Sequence, residues 1–101
     1  MEKGKIVIVN LQNPREKVLG ILLEINSAGI TVRGVDVNSF NDWTNSFITK
    51  EETEIAIFPS TVFYPMHRVL SCYVDEDAGG VPSFSSQFKR KTAVDLKDVL
   101  K

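Results

Sequence analysis

Three apolar segments separated by short turns constrain what this chain can fold into more than any other feature. They span residues 5–10, 16–25 and 30–37. The first connection carries Asn13 and Pro14, and the second ends in Gly29, which can adopt the positive φ that many tight turns require. A connection as short as 26–29 is typical of a β-hairpin. The pattern therefore predicts a small antiparallel sheet.

Apolar residues alternate along the second segment, which predicts that its odd-numbered side faces the core. That side comprises Leu19, Ile21, Leu23 and Ile25. In the third segment the apolar positions shift from Val32 to Val35, so the alternation slips by one residue. We interpret the slip as a β-bulge at Arg33-Gly34 that bends the strand.

The alternation stops after Asn38, and a helical pattern replaces it. Ser39 is a candidate N-cap, and Phe40, Trp43 and Phe47 follow at helical spacing. This spacing predicts a short amphipathic helix inserted at about 39–48. Strands are predicted again over 55–64 and 68–74, interrupted by Pro59 and Pro65, because proline cannot donate to a strand ladder.

The size and composition fit one globular domain. The chain has 101 residues, of which 43% are hydrophobic and 25% charged. Five short strands with a bend in the middle suit a mainly β, SH3-like barrel, and an OB-like barrel is the nearest alternative. We expect residues 1–78 to form the barrel and residues 79–101 to form a helical C-terminal tail of the same domain. The tail has apolar residues that need a surface to cover: Phe84, Phe88, Leu96 and Leu100.

Charge and cysteine content exclude several classes of function. The formal net charge is -1, so a nucleic acid could be bound only through a local basic patch. Cys72 and His67 are the only cysteine and histidine, which excludes a disulfide framework and a cysteine-based zinc cluster. We expect no cofactor, no metal and no small-molecule substrate. The sequence shows no segment suited to crossing a membrane, so a cytoplasmic location is expected.

Two stretches resemble the signatures of the Sm-like family, which includes Hfq. Residues 6–34 contain an apolar strand, a short turn, a second strand with Gly20 in the family's glycine position, and a third apolar strand. Residues 62–71 are similar to the second signature, and His67 is placed like a histidine of Hfq. The resemblance implies an Sm-like barrel of a divergent bacterial branch. It also implies a homo-oligomeric ring in which the fourth strand of one subunit pairs with the fifth strand of the next.

The resemblance also implies RNA binding, although the sequence departs from the family pattern in several places. The family holds RNA bases with an Asp and an Asn in the loop between its second and third strands, whereas residues 26–29 contain no Asp. The candidate RNA-binding residues are Asn26, Arg33, His67 and Arg68. Near the first turn, Arg15 and Lys17 are further cations that could meet an anionic partner or pair with surface carboxylates.

The later strands give an independent reason to expect self-association, because they are apolar on both faces. The candidate interface residues are Ile55, Ile57, Val62, Tyr64, Leu70 and Tyr73. In the alternative, a monomer, the inserted helix or the tail covers these strands. An enzyme is not expected, since His67 and Cys72 fall on opposite sides of a strand. Two functions stay open: a ring that binds RNA, and a protein-interaction scaffold ring that does not bind nucleic acid.

Overall fold

The computed structural model describes residues 1–48 and 57–101. Over these residues the chain forms one antiparallel sheet and three α-helices. The strands are β1 (Ile6–Leu11), β2 (Glu16–Asn26), β3 (Gly29–Asp36), β4 (Ser60–Pro65) and β5 (Val69–Val74). The helices are α1 (Phe40–Ser46), α2 (Phe84–Thr92) and α3 (Leu96–Leu100), and 3₁₀ turns span Val37–Ser39 and Met66–Arg68.

The sheet is open, with spatial order β4-β3-β2-β1-β5. Every neighbouring pair is antiparallel, and β4 and β5 lie at opposite edges without pairing to one another. The predicted mainly β architecture is confirmed, as are the inserted helix and the helical tail. A closed five-stranded barrel is not observed.

The 3₁₀ turn Met66–Arg68, here called the bridging turn, shows that the open sheet is strongly curled. The Met66 amide donates to the Ala28 carbonyl at 2.9 Å, and the Gln12 amide donates to the Arg68 carbonyl at 2.8 Å. Ala28 and Gln12 lie beyond opposite ends of β2, and a straight strand of that length would separate them by roughly 35 Å. Two residues of one turn cannot span that distance, so β2 and its neighbours must bend.

A β-bulge accompanies the bend, but not where the sequence predicted one. Leu22 pairs with Val32 and Glu24 pairs with Thr31, so Leu23 is the extra residue, on β2. Arg33 and Gly34 both have partners in the regular ladder, so the bulge predicted on β3 is wrong. A bulge residue is unpaired and reverses the side-chain alternation beyond it.

Both faces of the sheet are buried, which explains why the alternation of apolar residues did not identify the core side of β2. The inner core lies on the face enclosed by the curl and comprises Val7, Val9, Leu11, Val18, Leu22, Ile30 and Val32. The helix-side core comprises Ile8, Leu19, Ile21, Val35, Phe40, Trp43, Phe88, Leu96 and Leu100. The prediction of a single odd-numbered core side on β2 is therefore wrong: Leu23 is exposed and Ile25 packs against the inner core.

The three helices cover the helix-side face. Phe88 of α2 is fully buried, with its ring stacked on Trp43 at 5.4 Å and edge-on to Phe47 at the same distance. The start of α2 is held by two carboxylates of the preceding loop. Asp75 accepts hydrogen bonds from the amides of Phe84 and Ser85, and Asp77 accepts one from the amide of Ser83. These bonds satisfy amides that have no partner within the helix.

Candidate functional site

The bridging turn brings two of the predicted RNA-binding residues to one end of the sheet. Its hydrogen bond from Met66 to Ala28 sets it against the 26–29 loop, which contains Asn26. His67 is exposed on this turn, and its carbonyl accepts a hydrogen bond from the Gln12 side chain at 2.9 Å. The imidazole is thus presented on a backbone that is tied to both hairpins.

Asn26 has a structural role in its own loop. Its side-chain oxygen accepts hydrogen bonds from the amides of Ala28 at 2.8 Å and Gly29 at 3.3 Å. This arrangement is an Asx turn, in which the side chain replaces a backbone acceptor. The oxygen that a base would need from Asn26 is therefore already used to close the hairpin.

The Arg68 side chain points back into its own chain. Its Nε donates to the Gln12 carbonyl at 3.1 Å, and one Nη donates to the Pro14 carbonyl at 3.1 Å and to the Glu16 carboxylate at 2.8 Å. The guanidinium also lies 5.7 Å from the centre of the Tyr64 ring. With these four contacts, the side chain clamps the first hairpin to the bridging turn and is only 20% exposed.

Arg33 lies on a different surface from the bridging turn and the 26–29 loop. It lies in the middle of β3, on the helix-side face, and its Nη1 donates to the Thr61 hydroxyl of β4 at 3.2 Å. Roughly 13 Å of extended strand separates it from Gly29 at the loop. The structure thus places the turn that carries His67 against the loop that contains Asn26, engages Arg68 within the fold, and leaves Arg33 apart.

The predicted association residues occupy three kinds of position. Leu70 and Tyr73 on β5 are exposed, whereas Val62 and Tyr64 on β4 are only partly exposed, and Tyr64 packs against the inner core. Ile57 packs against the helix-side core. Ile55 lies outside the described residues.

The most exposed aromatic residue of β4 was not among the predicted interface residues. Phe63 is 52% exposed, on the opposite face of β4 from Tyr64. Alternation alone places Phe63 and Tyr64 on different faces without saying which face is enclosed. Once the sheet curls around the inner core, Tyr64 turns inwards and Phe63 outwards.

A small polar cleft of about 190 Å³ lies between the start of β2, the end of β3 and β4. Glu16, Asp36 and Tyr64 are among the residues that line it. Burial raises the pKa of the Tyr64 phenol, the Glu16 and Asp36 carboxylates raise it further, and Arg68 lowers it. The phenol therefore stays protonated at neutral pH and can donate a hydrogen bond, but it has no nucleophilic or basic character there.

Cys72 has the environment of a structural residue. It is partly buried against the inner core, and this burial raises the pKa of its thiol. A raised pKa keeps the thiol protonated and unreactive. Among the described residues, no group of three or more metal-ligating side chains comes together. No helix in the described parts of the chain is long and apolar enough to span a membrane.

Comparisons with known proteins give no functional assignment, so the functional conclusion rests on the geometry of the structure. No family model, curated protein or solved structure matches this chain.

Proposed function

We propose that this chain is a non-catalytic, self-associating β module of SH3-like, Sm-like type. The observation that carries the proposal is the pair of edge strands. Neither β4 nor β5 has a second strand partner among the described residues, and each presents a large apolar side chain, Phe63 on β4 and Leu70 on β5. Unpaired apolar edges are usually covered or paired in soluble proteins.

The curvature of the sheet supports the barrel part of the proposal. The bridging turn joins both hairpins, and the inner core is enclosed by residues of β4, β5 and this turn, including Tyr64, Met66 and Val69. The three helices pack on the other face, and Phe63 and Leu70 on the two edge strands stay exposed, which favours association over the monomeric alternative. The Sm-like resemblance adds a mode of assembly: β4 of one copy beside β5 of the next, closing into a ring in the cytoplasm.

Size-exclusion chromatography with light scattering tests this assembly. We expect the wild-type protein to have a mass of about five to seven subunits. Phe63→Lys and Leu70→Lys place a charge on β4 and β5 respectively, and each should reduce the mass to that of a monomer. Leu23→Lys is the matched control, because Leu23 is equally an exposed leucine but lies on the central strand β2. A wild-type protein that is monomeric at all concentrations would contradict the proposal.

Mixing the two edge variants tests the head-to-tail arrangement itself. Each variant keeps one intact edge, so an equal mixture should form dimers although neither variant associates alone. A symmetric contact between two identical edges gives a different result. In that case one of the two variants would associate by itself.

RNA binding near the bridging turn is a second candidate function, favoured by one observation. His67 is exposed beside the loop of Asn26, at the junction of both hairpins. Absorbance at 260 and 280 nm during the same chromatography would report nucleic acid that copurifies. We expect His67→Ala to weaken RNA binding without changing the oligomer mass, and Arg33→Ala, on the other face of the sheet, to leave the affinity unchanged. If the His67→Ala variant keeps the wild-type affinity, the RNA site is elsewhere, or the module is a scaffold for proteins.

A further inference from the structure

A cleft of about 290 Å³, here called the β5 cleft, lies on the helix-side face at the end of β5. Ile8 and Phe84 belong to the helix-side core, and Tyr73 is the ladder partner of Ile8, which places the cleft on this face. Val81 and Pro82 complete its apolar lining. A cavity of about 150 Å³ can hold a benzene-sized group, so the β5 cleft has room for an aromatic side chain.

A tight turn fixes the backbone beside this cleft. Ala78 and Val81 exchange two backbone hydrogen bonds, of 3.0 and 2.8 Å, around Gly79 and Gly80, which both have positive φ. Val81 is 67% exposed although its backbone is held in this way, and Tyr73 is exposed as well. Two exposed apolar side chains therefore line the β5 cleft on an ordered backbone, where a further apolar group could cover them.

Phe63 is an exposed aromatic residue on the same face at the opposite edge of the sheet. It follows Val62 and precedes Tyr64, which packs against the inner core, so alternation places Phe63 on the helix-side face. One side of its ring lies against Gly29, where an added Cβ atom would be 2.7 Å from the ring, and the rest of the ring is exposed. In its own chain Phe63 does not line the β5 cleft.

Two copies joined edge to edge bring these features together. Four antiparallel steps separate β4 from β5, so the two strands run in the same direction. Joining β4 of one copy to β5 of the next with the helix-side faces aligned therefore makes a parallel pair. Setting Phe63 beside Tyr73 also sets Ser60 beside Leu70, so the strands overlap over most of their length. Phe63 then lies next to the β5 cleft.

Pairing of the edge strands alone is too small a contact for a stable complex. β4 and β5 have six residues each, whereas a stable interface typically involves about 20–30 residues on each side. Stable association therefore needs apolar contacts beyond the strands themselves. An aromatic ring seated in a neighbouring cleft is the kind of contact that contributes most to such interfaces.

The charges beside the two edges are complementary in sign. Arg33 donates to the Thr61 hydroxyl of β4, on the same face as Phe63, and is not in an ion pair with any carboxylate of the described residues. The loop after β5 carries three consecutive carboxylates, at residues 75–77, and the first two line the β5 cleft. Opposite charges on facing surfaces favour the encounter of two copies and the orientation in which they meet.

We propose that the β5 cleft binds the Phe63 side chain of the next copy of this chain. The inference rests on the proposed function, because it requires β4 of one copy to lie beside β5 of the next. It adds to that function a role for the 75–83 segment and the start of α2, which supply most of the cleft. These elements select the neighbouring copy, and the ring of Phe63 is the group that they recognise.

The two edge variants allow one junction to be measured alone. In an equal mixture the Leu70→Lys copy contributes β4 with Phe63, and the Phe63→Lys copy contributes β5 with its cleft. Adding Val81→Lys to the Phe63→Lys copy should raise the dissociation constant of the dimer roughly tenfold or more, because a charge would be buried beside an aromatic ring. Adding the same substitution to the Leu70→Lys copy is the matched control and should change nothing, since the cleft of that copy faces solvent.

A double-mutant cycle across the junction tests the contact itself, with dissociation constants measured by light scattering over a dilution series. Phe63→Ala in the Leu70→Lys copy should weaken the dimer about as much as Val81→Lys in the other copy. The two changes together should weaken it little further, because each removes the same contact. Melting temperatures of the separate copies verify that each variant is folded.

The outcomes separate the cleft contact from the edge pairing. If the mixture forms no dimer, the edge pairing fails and the cleft contact fails with it. If the dimer forms but Val81→Lys has the same effect in either copy, or none in both, only the cleft contact is overturned. Independent, multiplicative effects of Phe63→Ala and Val81→Lys would overturn it too, and would leave the cleft to a different protein segment.

Discussion

Gly20 and Gly34 face each other across β2 and β3 without room for a side chain on either. They are direct partners in the ladder, and a Cβ atom on Gly34 would lie 2.5 Å from the Gly20 Cα and would overlap the Leu19 carbonyl oxygen. A Cβ atom on Gly20 would overlap the Arg33 carbonyl in the same way. The close approach lies in the part of the sheet between the Leu23 bulge and the first turn.

Replacing Gly34 by alanine should destabilise the fold by about 3 kcal/mol, because the added methyl group meets backbone that cannot move aside cheaply. Urea denaturation followed by circular dichroism measures this loss as a lower midpoint. Ser27→Ala, at an exposed turn position, is the control and should change the midpoint little. A Gly34→Ala protein as stable as the wild type would show that the two strands can separate locally.

Removing the Arg68 side chain should release the first hairpin from the bridging turn. We expect Arg68→Ala to reduce the free energy of unfolding by about 2 kcal/mol, since hydrogen bonds to a charged group are lost from a largely enclosed position. Arg68→Lys should lie between this variant and the wild type, because lysine keeps the charge without the planar fork.

A double-mutant cycle with Glu16→Gln isolates the ion pair from the two backbone contacts of Arg68. The coupling energy should be at most about 1 kcal/mol, because Glu16 is partly exposed. A coupling energy as large as the whole effect of Arg68→Ala would mean that the carboxylate, and not the Gln12 and Pro14 carbonyls, holds the arginine.

Truncating Phe88 should loosen the helices from the sheet. Phe88→Ala removes a fully buried ring that contacts Trp43 and Phe47, with an expected cost of about 3–5 kcal/mol. Trp43 is the only tryptophan, so its fluorescence reports this packing directly and should shift to longer wavelength. Val94→Ala, at an exposed position of the tail, is the control. An unshifted emission spectrum would contradict the docking of α2.

The stability of the tail should depend on pH through Asp77. Hydrogen bonds from the Ser83 amide and the Ser86 hydroxyl hold the pKa of this carboxyl below its ordinary value of 3.8. A carboxyl whose pKa is lower in the folded than in the unfolded state stabilises the fold above the ordinary value and loses that effect as the pH falls through the lowered pKa. The difference in melting temperature between wild type and Asp77→Asn should therefore be present at about pH 6 and shrink below about pH 4.

Glu76→Gln is the matched control for this experiment. It removes a neighbouring exposed carboxylate, whereas the amides at the start of α2 donate to Asp75 and Asp77, so the pH profile of melting should stay unchanged. An equal response of the two variants would assign the effect to net charge and not to the cap of α2.

The local elements were predictable because each depends on neighbouring residues. Short turns with Asn13, Pro14 and Gly29 indicated the hairpins, and the spacing of Phe40, Trp43 and Phe47 indicated α1. The enclosed faces were harder to predict, because apolar residues on both sides of β2 and β3 carry no sign of which side a distant element will cover. For the same reason the bulge was predicted at Arg33-Gly34, whereas it lies at Leu23.

The candidate site was predictable in part, for the same reason. His67 lies between Pro65, which interrupts the strand pattern, and the predicted strand over 68–74, and it is exposed on a turn at this interruption. The engagement of Arg68 was not foreseeable, because its partners Gln12, Pro14 and Glu16 lie more than fifty residues earlier in the chain. Only the curl of the whole sheet brings them within reach.

The bridging turn also bears on the order in which the protein folds. The hydrogen bond between Gln12 and Arg68 closes a long loop. Closing this loop costs conformational entropy before the new contact contributes any stability. The two hairpins need only near neighbours and should form first. We therefore expect the docking of this turn onto the hairpin ends to be the rate-limiting step of folding. Arg68 variants should slow folding if the turn docks in the transition state, and should speed unfolding if it docks afterwards.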